Sequence, residues 1–348
     1  FIIGDAPGHV QYTRNMVTAA SSADAAVVLV DATKLRWNGD ILANASHALL
    51  PQTRRHSLLV TLLRVPSIVF AINKLDAVAE APRAFINIQR ALREFAQSAG
   101  ITVTAIVPVS ALHGNNVVDA DAGWVGYRGP SLLQILEGLP STPAETGAPL
   151  SFPVQWVEKF SSSADTDKGR RVFWGRVATG ALAPGQQVAV LPGGQVATVA
   201  QVFDHTRQPA SVPAGRSAGI VLDREVDISR GDWLLAHDGD KPLFQATQTL
   251  RATIAWLDDE PLVEGRIYWA VHGHRWVKAR VARITHRLDV HTLAREAATS
   301  LESNAIGEVE LALQAPIAQL PYQQSRALGS LVLVDTASHK TAGAALLH

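Results

Sequence analysis

The feature that most constrains the fold of this chain is a series of short apolar runs near its beginning, separated by stretches of helical length. The runs are Phe1–Ile3, Ala25–Val30, Ser67–Ile72 and Val103–Val109. The helix candidates between and after them are Gln11–Ala20, Thr53–Leu63, Pro82–Ala99 and Ser131–Leu139. Continuous apolar runs are typical of strands buried on both faces. Their alternation with helices predicts a parallel sheet covered by helices.

The pattern changes after residue 139, where a stretch rich in Pro, Ser and Thr reaches Pro149 and is interpreted as a linker. Beyond it, short strands recur between Gly and Pro turns, at Val172–Val177, Gln187–Leu191, Val196–Val202 and Ser217–Leu222. This spacing is typical of small β-barrels. A second polar break lies at Asp238–Pro242. We therefore expect a multidomain α/β plus all-β chain, with an α/β domain at 1–145 and β-barrels at 149–238 and 243–348.

Charge and composition narrow the functional classes. The 31 basic residues equal the 31 acidic residues, so a strongly basic nucleic-acid surface gains no support. Cysteine is absent, which excludes disulfides and thiol chemistry within the chain. No apolar stretch approaches the roughly 18 residues of a membrane span. We expect a cytoplasmic protein that binds neither nucleic acid nor membrane.

The first polar motif is Asp5-Ala6-Pro7-Gly8-His9, directly after an apolar run. A carboxylate at the carboxyl end of a strand lies where α/β sheets bind ligands, and Asp5 can hold Mg²⁺, usually through water. Gly8 lets the backbone approach a phosphate, and the helix that follows turns its N-terminus to the same place. His9 can orient a water for attack on a γ-phosphate, which makes it the candidate catalytic residue.

The second motif, Asn73-Lys74-Leu75-Asp76, follows the run Ser67–Ile72. The Asp76 carboxylate can accept hydrogen bonds from guanine N1–H and N2–H₂, a donor pair that adenine lacks. Lys74 can lay its stem over the base, and Asn73 can bond the base edge and brace a phosphate loop. The motif therefore predicts a site that selects guanine.

The third motif, Ser110-Ala111-Leu112, follows Val103–Val109, and its backbone amides can contact guanine O6. Three motifs in this order, each after a predicted parallel strand, resemble the G domain of translational-type GTPases. There they are the third, fourth and fifth guanine-nucleotide motifs. An α/β domain followed by two β-barrels resembles the elongation factor Tu arrangement over the whole chain. The resemblance implies a P-loop-type GTPase fold with GTP and Mg²⁺ as cofactors.

Further stretches resemble the GTPase-subunit family of bacterial sulfate adenylyltransferases. They are residues 11–16 (QYTRNM), 52–57 (QTRRHS), 152–157 (FPVQWV), 227–232 (DISRGD) and 322–325 (YQQS). The resemblance implies that GTP hydrolysis drives the formation of adenylyl sulfate and pyrophosphate from ATP and sulfate, in sulfate assimilation. It also implies a separate small catalytic subunit that uses the ATP, in a heterodimer or higher assembly.

The chain departs from this family in one respect, because no G-x-x-x-x-G-K-[ST] phosphate loop is present. We expect that loop and the first switch to lie N-terminal to Phe1, since the sequence opens within an apolar run, and we expect this fragment alone to be inactive. The segment Lys34–Pro51, where shorter relatives connect almost directly, is interpreted as a tolerated surface insertion or a partner-facing loop. An adenylyl-sulfate kinase domain fused downstream in some relatives does not occur before His348.

Two other functions stay open. One is a Tu-type elongation factor carrying aminoacyl-tRNA, and the other is a non-catalytic scaffold, if the phosphate loop is truly absent. The stretch His272-Gly273-His274 is interpreted as a turn between barrel strands rather than a metal site. Trp256, Trp269 and Trp276 are expected in the barrel core rather than on nucleic-acid bases.

Overall fold

The computed structural model describes residues 1–6, 13–35, 49–159, 171–206, 209–239 and 241–348. These fall into two compact units, Phe1–Thr142 with Leu288–Arg295, and Pro143–Arg287 with Glu296–His348. The α-helices of the described residues all lie in the first unit. They are α1 (Thr13–Ala20), α2 (Pro51–Leu62), α3 (Ala81–Ser98) and α4 (Leu132–Glu137).

The first unit contains a three-stranded parallel sheet of β1 (Ala25–Asp31), β2 (Ser67–Asn73) and β3 (Ala105–Pro108), in the order β1-β2-β3. The central strand, β2, is buried from Ser67 to Ile72, which explains why its sequence is a continuous apolar run. The predicted alternation of parallel strands and helices is confirmed.

The helices of this unit have clear sequence causes. In α3 the buried residues Phe85, Ile88, Leu92 and Phe95 recur every three or four positions and form one apolar face. Gly100 follows this helix with a φ of +65°, as expected of a glycine that ends a helix. At α4, Ser131 and Gln134 form a capping box.

A buried arginine holds a distant segment of the first unit. Arg54 of α2 is 2% exposed and donates from Nε to the carbonyl oxygen of Val290 at 3.0 Å and from Nη2 to that of His291 at 2.6 Å. Its guanidinium also lies 4.7 Å from the ring centroid of Phe95. The segment Leu288–Arg295 is therefore anchored to α2, whose Arg54 also contacts α3.

The prediction that Phe1–Ile3 is the tail of a strand is wrong. Residues 1–6 have no regular secondary structure, and the side chains of Phe1, Ile2 and Ile3 are largely exposed. An apolar run forms a strand only where a neighbouring strand satisfies its backbone groups, and no described strand pairs with these residues.

The second unit consists of antiparallel strands. They are β4 (Ser151–Lys159), β5 (Arg171–Arg176), β6 (Ala181–Leu182), β7 (Gln187–Leu191), β8 (Val196–Phe203), β9 (Val212–Pro213), β10 (Ser217–Leu222), β11 (Trp233–Asp238), β12 (Lys241–Pro242), β13 (Ala246–Trp256), β14 (Leu262–Val263), β15 (Ile267–His272), β16 (Arg275–Leu288), β17 (Arg295–Glu296), β18 (Ser300–Leu301), β19 (Ile306–Ala318), β20 (Ser330–Asp335) and β21 (Thr341–Leu347).

Two sets of six of these strands each close into a barrel. The first runs β11-β4-β5-β10-β8-β7 and closes because β7 also pairs with β11. The second runs β15-β20-β21-β13-β19-β16 and closes where β16 pairs with β15. The predicted pair of barrels is confirmed, and closure leaves neither ring with a free edge strand. The exact domain boundaries stay predictions.

A small apolar cluster within the second unit links the two barrels. Trp233 of β11 stacks on His272 of β15, with ring centroids 5.1 Å apart and planes at 30°. Gly273 follows with a φ of +60°, and a Cβ there would lie 2.7 Å from the Trp233 ring. Arg275 pairs with Asp232 at 3.1 Å. The interpretation of His272-Gly273-His274 as a turn between barrel strands is confirmed.

The tryptophans divide between core and surface. Trp256 is fully buried in the core of the second barrel, as predicted. Trp269 is only partly buried, and Trp276 is 53% exposed, so the expectation that they belong to the core is wrong. Both occupy outward positions on their strands, because the neighbouring Tyr268 and Val277 point into the barrel.

Candidate guanine-nucleotide site

The carboxyl ends of β1, β2 and β3 lie along one edge of the sheet, because the three strands are parallel. Asp31 ends β1, Asn73 ends β2, and Ser110 follows β3 by two residues. This is the edge at which open α/β sheets bind ligands. The second and third sequence motifs therefore lie at neighbouring positions.

Asn73 joins those two motifs directly. Its Oδ1 accepts hydrogen bonds from the backbone N–H of Lys74 at 2.8 Å and of Ala111 at 3.1 Å. The side chain thus fixes the loop after β3 against the end of β2. The sequence suggested a bracing role for Asn73 toward a phosphate loop, whereas its partner in the described residues is the third motif.

Lys74 has a left-handed backbone, with a φ of +65°, and its Nζ lies 2.8 Å from Oδ2 of Asp31. The pair links the ends of β1 and β2. Burial favours the neutral form of Asp31, but hydrogen bonds from Lys74 and Thr33 outweigh it and lower the pKa of this carboxyl. Sequence reasoning missed Asp31, although its place directly after an apolar run was a usable signal.

Asp76 lies in the short 3₁₀ helix Leu75–Ala77, and the buried side chain of Leu75 anchors this turn. The Asp76 side chain is 19% exposed, and its Oδ2 lies 3.9 Å from Nε2 of His113. The Asp76 carboxylate makes no shorter ion pair in the described structure, so its oxygens are available to accept hydrogen bonds from a ligand. His113, in the loop after β3, is a second residue that the sequence analysis missed.

Ser110 is fully buried, and its hydrogen bonds stabilise the turn that contains the third motif. Its Oγ accepts from the backbone N–H of His113 at 3.1 Å, and its carbonyl oxygen accepts from that of Gly114 at 2.8 Å. Ala111 is exposed, and Leu112 is 80% exposed. The tight turn therefore presents the backbone of residues 111 and 112 to solvent.

The first motif is only partly visible. Asp5 is exposed and Ala6 is half-buried, whereas Pro7, Gly8 and His9 lie outside the described residues, as do residues 36–48 of the predicted insertion. A single exposed carboxylate is the kind of donor through which Mg²⁺ is bound together with water. Elsewhere in the described ranges, no group of three or more His, Cys, Asp or Glu side chains is placed to hold a metal.

Among the helices that the structure describes, none combines the length and apolar character that a membrane span requires.

Comparisons with known proteins give two family matches. Residues 1–145 match the family of the elongation factor Tu GTP binding domain, and residues 249–348 match the GTP-eEF1A C-terminal domain-like family. Solved structures of Sup35 complexed with GDP and with GMPPNP superpose with TM-scores of 0.51 and 0.52. Their sequences are 23% and 22% identical to this chain. The matches cover 95% and 94% of this chain, and 79% and 78% of the Sup35 chains. These structures show the shared fold alone.

Curated relatives match the chain from end to end. The bifunctional enzyme CysN/CysC of Xylella fastidiosa is 41% identical over all of this chain and 52% of its own length. Sulfate adenylyltransferase subunit 1 of Laribacter hongkongensis is 37% identical over all of this chain and 68% of its own length, and that of Citrobacter koseri is 37% identical and covered over 69%. The chain thus spans about half of the bifunctional relative and about two thirds of the subunit 1 relatives. It belongs to the sulfate adenylyltransferase subunit 1 family, with an elongation factor Tu-like fold.

Proposed function

We propose that this chain is the GTP-hydrolysing part of a sulfate adenylyltransferase, in which GTP hydrolysis drives ATP and sulfate to adenylyl sulfate and pyrophosphate. Family membership supports the overall reaction. The observation that carries the nucleotide part is the hydrogen bond between Asn73 and Ala111, because it holds the two proposed base-contacting motifs at one sheet edge. A Tu-type translation factor is not favoured, since relatives that match the whole chain at 37% identity are named sulfate adenylyltransferase subunit 1.

Guanine selection rests on Asp76 in this proposal. Its carboxylate accepts from N1–H and N2–H₂ of the base, and the backbone N–H groups after Ser110 face O6. The stem of Lys74 packs over the base while Asp31 holds its ammonium group. Because adenine has an acceptor at N1 and no amino group at C2, it offers the Asp76 carboxylate neither of these two donors.

The phosphate side of the proposed site involves Asp5, Gly8 and His9. Asp5 would hold Mg²⁺ through water, and this ion would neutralise developing charge on the phosphates. Gly8 would donate its backbone N–H to the γ-phosphate. His9 would orient the attacking water, a role that contributes roughly 10²- to 10⁴-fold to a rate.

Adenylyl transfer is assigned to a separate small subunit that binds the ATP. The carboxylate proposed to select the base, Asp76, is matched to guanine and not to adenine. Energy supply and chemistry would then lie on different polypeptides. Their coupling would use a nucleotide-dependent change of conformation, as in other GTPases.

The base-selection proposal is tested by Asp76→Asn in the full-length protein. The amide donates where the carboxylate accepted, so GTP affinity should fall roughly 10- to 100-fold and xanthosine triphosphate affinity should rise. Asp119→Asn, in the exposed loop nearby, is the matched control and should keep the wild-type preference. Unchanged GTP preference in Asp76→Asn, measured by calorimetry, would show that Asp76 does not contact the base.

The reaction itself is tested with the full-length protein and its small subunit. Together they should form adenylyl sulfate well beyond the yield reached without GTP, and a non-hydrolysable GTP analogue should abolish the excess. The large subunit alone should make none. Product from the isolated large subunit, or an equal final yield with the analogue, would refute the proposed division of labour.

A further inference from the structure

An exposed aromatic surface lies on the outside of the second barrel. In the β15–β16 hairpin, Trp269 lies opposite Lys278 and Val271 lies opposite Trp276. Directly opposed residues of an antiparallel pair share a face, so these four side chains point outward together. Their neighbours Tyr268 and Ala270 point into the barrel core.

The apolar part of this face continues over three strands. Ile267 shares the face of Trp269 on β15, and Val332 of β20 lies opposite Val271. We call Ile267, Trp269, Val271, Trp276 and Val332 the Trp patch. The exposed fractions are 53% for Trp276, 47% for Ile267 and 37% for Val332. The rings of Trp269 and Trp276 contact edge to face, with centroids 6.3 Å apart.

Such a surface is unusual on the outside of a barrel, where outward positions are normally polar. Contiguous exposed apolar side chains mark interaction sites in soluble proteins. Tryptophan is also the side chain most enriched among residues that dominate binding energy. The edge-to-face contact holds both rings in place, so little conformational entropy remains to be lost on binding.

The charges beside the Trp patch have one sign. Lys278 Nζ lies 5.4 Å from the ring centroid of Trp269, and Arg280 lies opposite Ile267. None of the outward residues at positions 267, 269, 271, 276, 278, 280 and 332 is acidic. The exposed Trp156 of the first barrel differs, because Glu158 follows it on the same strand face. The cationic rim of the Trp patch fits a surface that carries carboxylates.

We propose that the Trp patch is a docking surface for the small adenylyl-transferring subunit, whose contact surface has an apolar centre and carboxylates opposite Lys278 and Arg280. This inference rests on the proposed function. A second copy of this chain is a poorer occupant, because a symmetric contact through this patch would bring the cationic rims together. The exposed parts of Trp276, Ile267 and Val332 would form the centre of the roughly 800 Å² that one side of a stable interface buries, and the surrounding residues would supply the rest.

The test measures binding of the full-length protein to the small subunit by calorimetry. Trp276→Ser should weaken binding about 30-fold, as expected of a central anchor. Lys278→Glu should weaken it about tenfold or more and reduce the salt dependence of association. Both positions are exposed, so folding should be retained, and GTP hydrolysis without the small subunit should be unchanged. Trp156→Ser is the matched control and should bind as wild type.

The outcomes separate this inference from the proposed function. If wild type binds the small subunit and Trp276→Ser and Lys278→Glu bind equally well, the docking surface is refuted while the proposed function stands. If wild type does not bind the small subunit at all, both are refuted. A wild type that self-associates through Trp276 instead would identify a second copy as the occupant and would also overturn the inference.

Discussion

His272 makes the stability of the second unit dependent on pH. The ring is 1% exposed, stacks on Trp233, and places Nε2 3.2 Å from the carbonyl oxygen of Leu328. Burial lowers the pKa of His272 to about 4; the hydrogen bond to Leu328 opposes this, and the nearby charge of Arg275 adds to it. The neutral ring with Nε2 as the donor already satisfies the Leu328 carbonyl, so this hydrogen bond only partly offsets the cost of burying a charged ring.

The sign of the effect follows from the ordinary pKa of 6.5 in the unfolded chain. Between that value and about 4, the unfolded chain binds a proton that the folded chain does not. The free energy of unfolding therefore falls as the pH falls through this window. Each pKa unit corresponds to about 1.4 kcal/mol, so the loss is about 3 kcal/mol over the window and roughly 2 kcal/mol between about pH 7 and about pH 4.5.

The assay is urea denaturation at these two pH values, followed by tryptophan fluorescence. His272→Gln retains an amide donor for the Leu328 carbonyl but cannot titrate, so its pH dependence should be weaker than that of wild type by the amount above. His113→Gln, at a side chain that is 60% exposed, is the matched control and should keep the wild-type pH dependence. Identical pH dependence of wild type and His272→Gln would refute the reasoning.

Two further substitutions test the first unit. Arg54→Met should lower the free energy of unfolding by about 3 kcal/mol, because two carbonyls of Leu288–Arg295 lose charged donors. The control Arg83→Ala removes an exposed ion pair and should lower the free energy of unfolding by less than about 0.5 kcal/mol in the same denaturation experiment. Asn73→Ala should weaken GTP binding about tenfold in the full-length protein, because the Ala111 amide loses its acceptor and the loop after β3 is no longer fixed; wild-type affinity in a titration with fluorescent GTP would contradict this.

The strand β2 could be predicted closely because burial on both faces gives it a continuous apolar run. β1 has a similar apolar run, although its Val27 and Leu29 are exposed. The predicted Ala25–Val30 and Ser67–Ile72 each end one residue before the observed strands. Val103–Val109 was too long, since β3 pairs with β2 only from Ala105 to Pro108. Local apolar character does not show how far a partner strand extends.

The candidate site could be predicted in outline, since each motif directly follows an apolar run. The contacts of Asn73 with Ala111 and of Lys74 with Asp31 join residues far apart in sequence, and no spacing rule indicates them. The exposure of Trp276 could have been predicted from the residues next to it in the sequence. Trp276, Lys278 and Arg280 alternate with apolar residues on β16, so the tryptophan shares its face with two cations.

The anchoring of Leu288–Arg295 by Arg54 has a consequence for dissecting the protein into domains. The first unit is discontinuous in sequence, so cutting the chain at Thr142 keeps Arg54 and Phe95 but removes both carbonyl acceptors. The guanidinium must then return to water or stay buried without these two acceptors, and either choice disturbs its contact with the Phe95 ring of α3. In an excised nucleotide domain, α2 should therefore be less stable than in the intact chain. Measurements on the fragment would underestimate the stability of this helix in the whole protein.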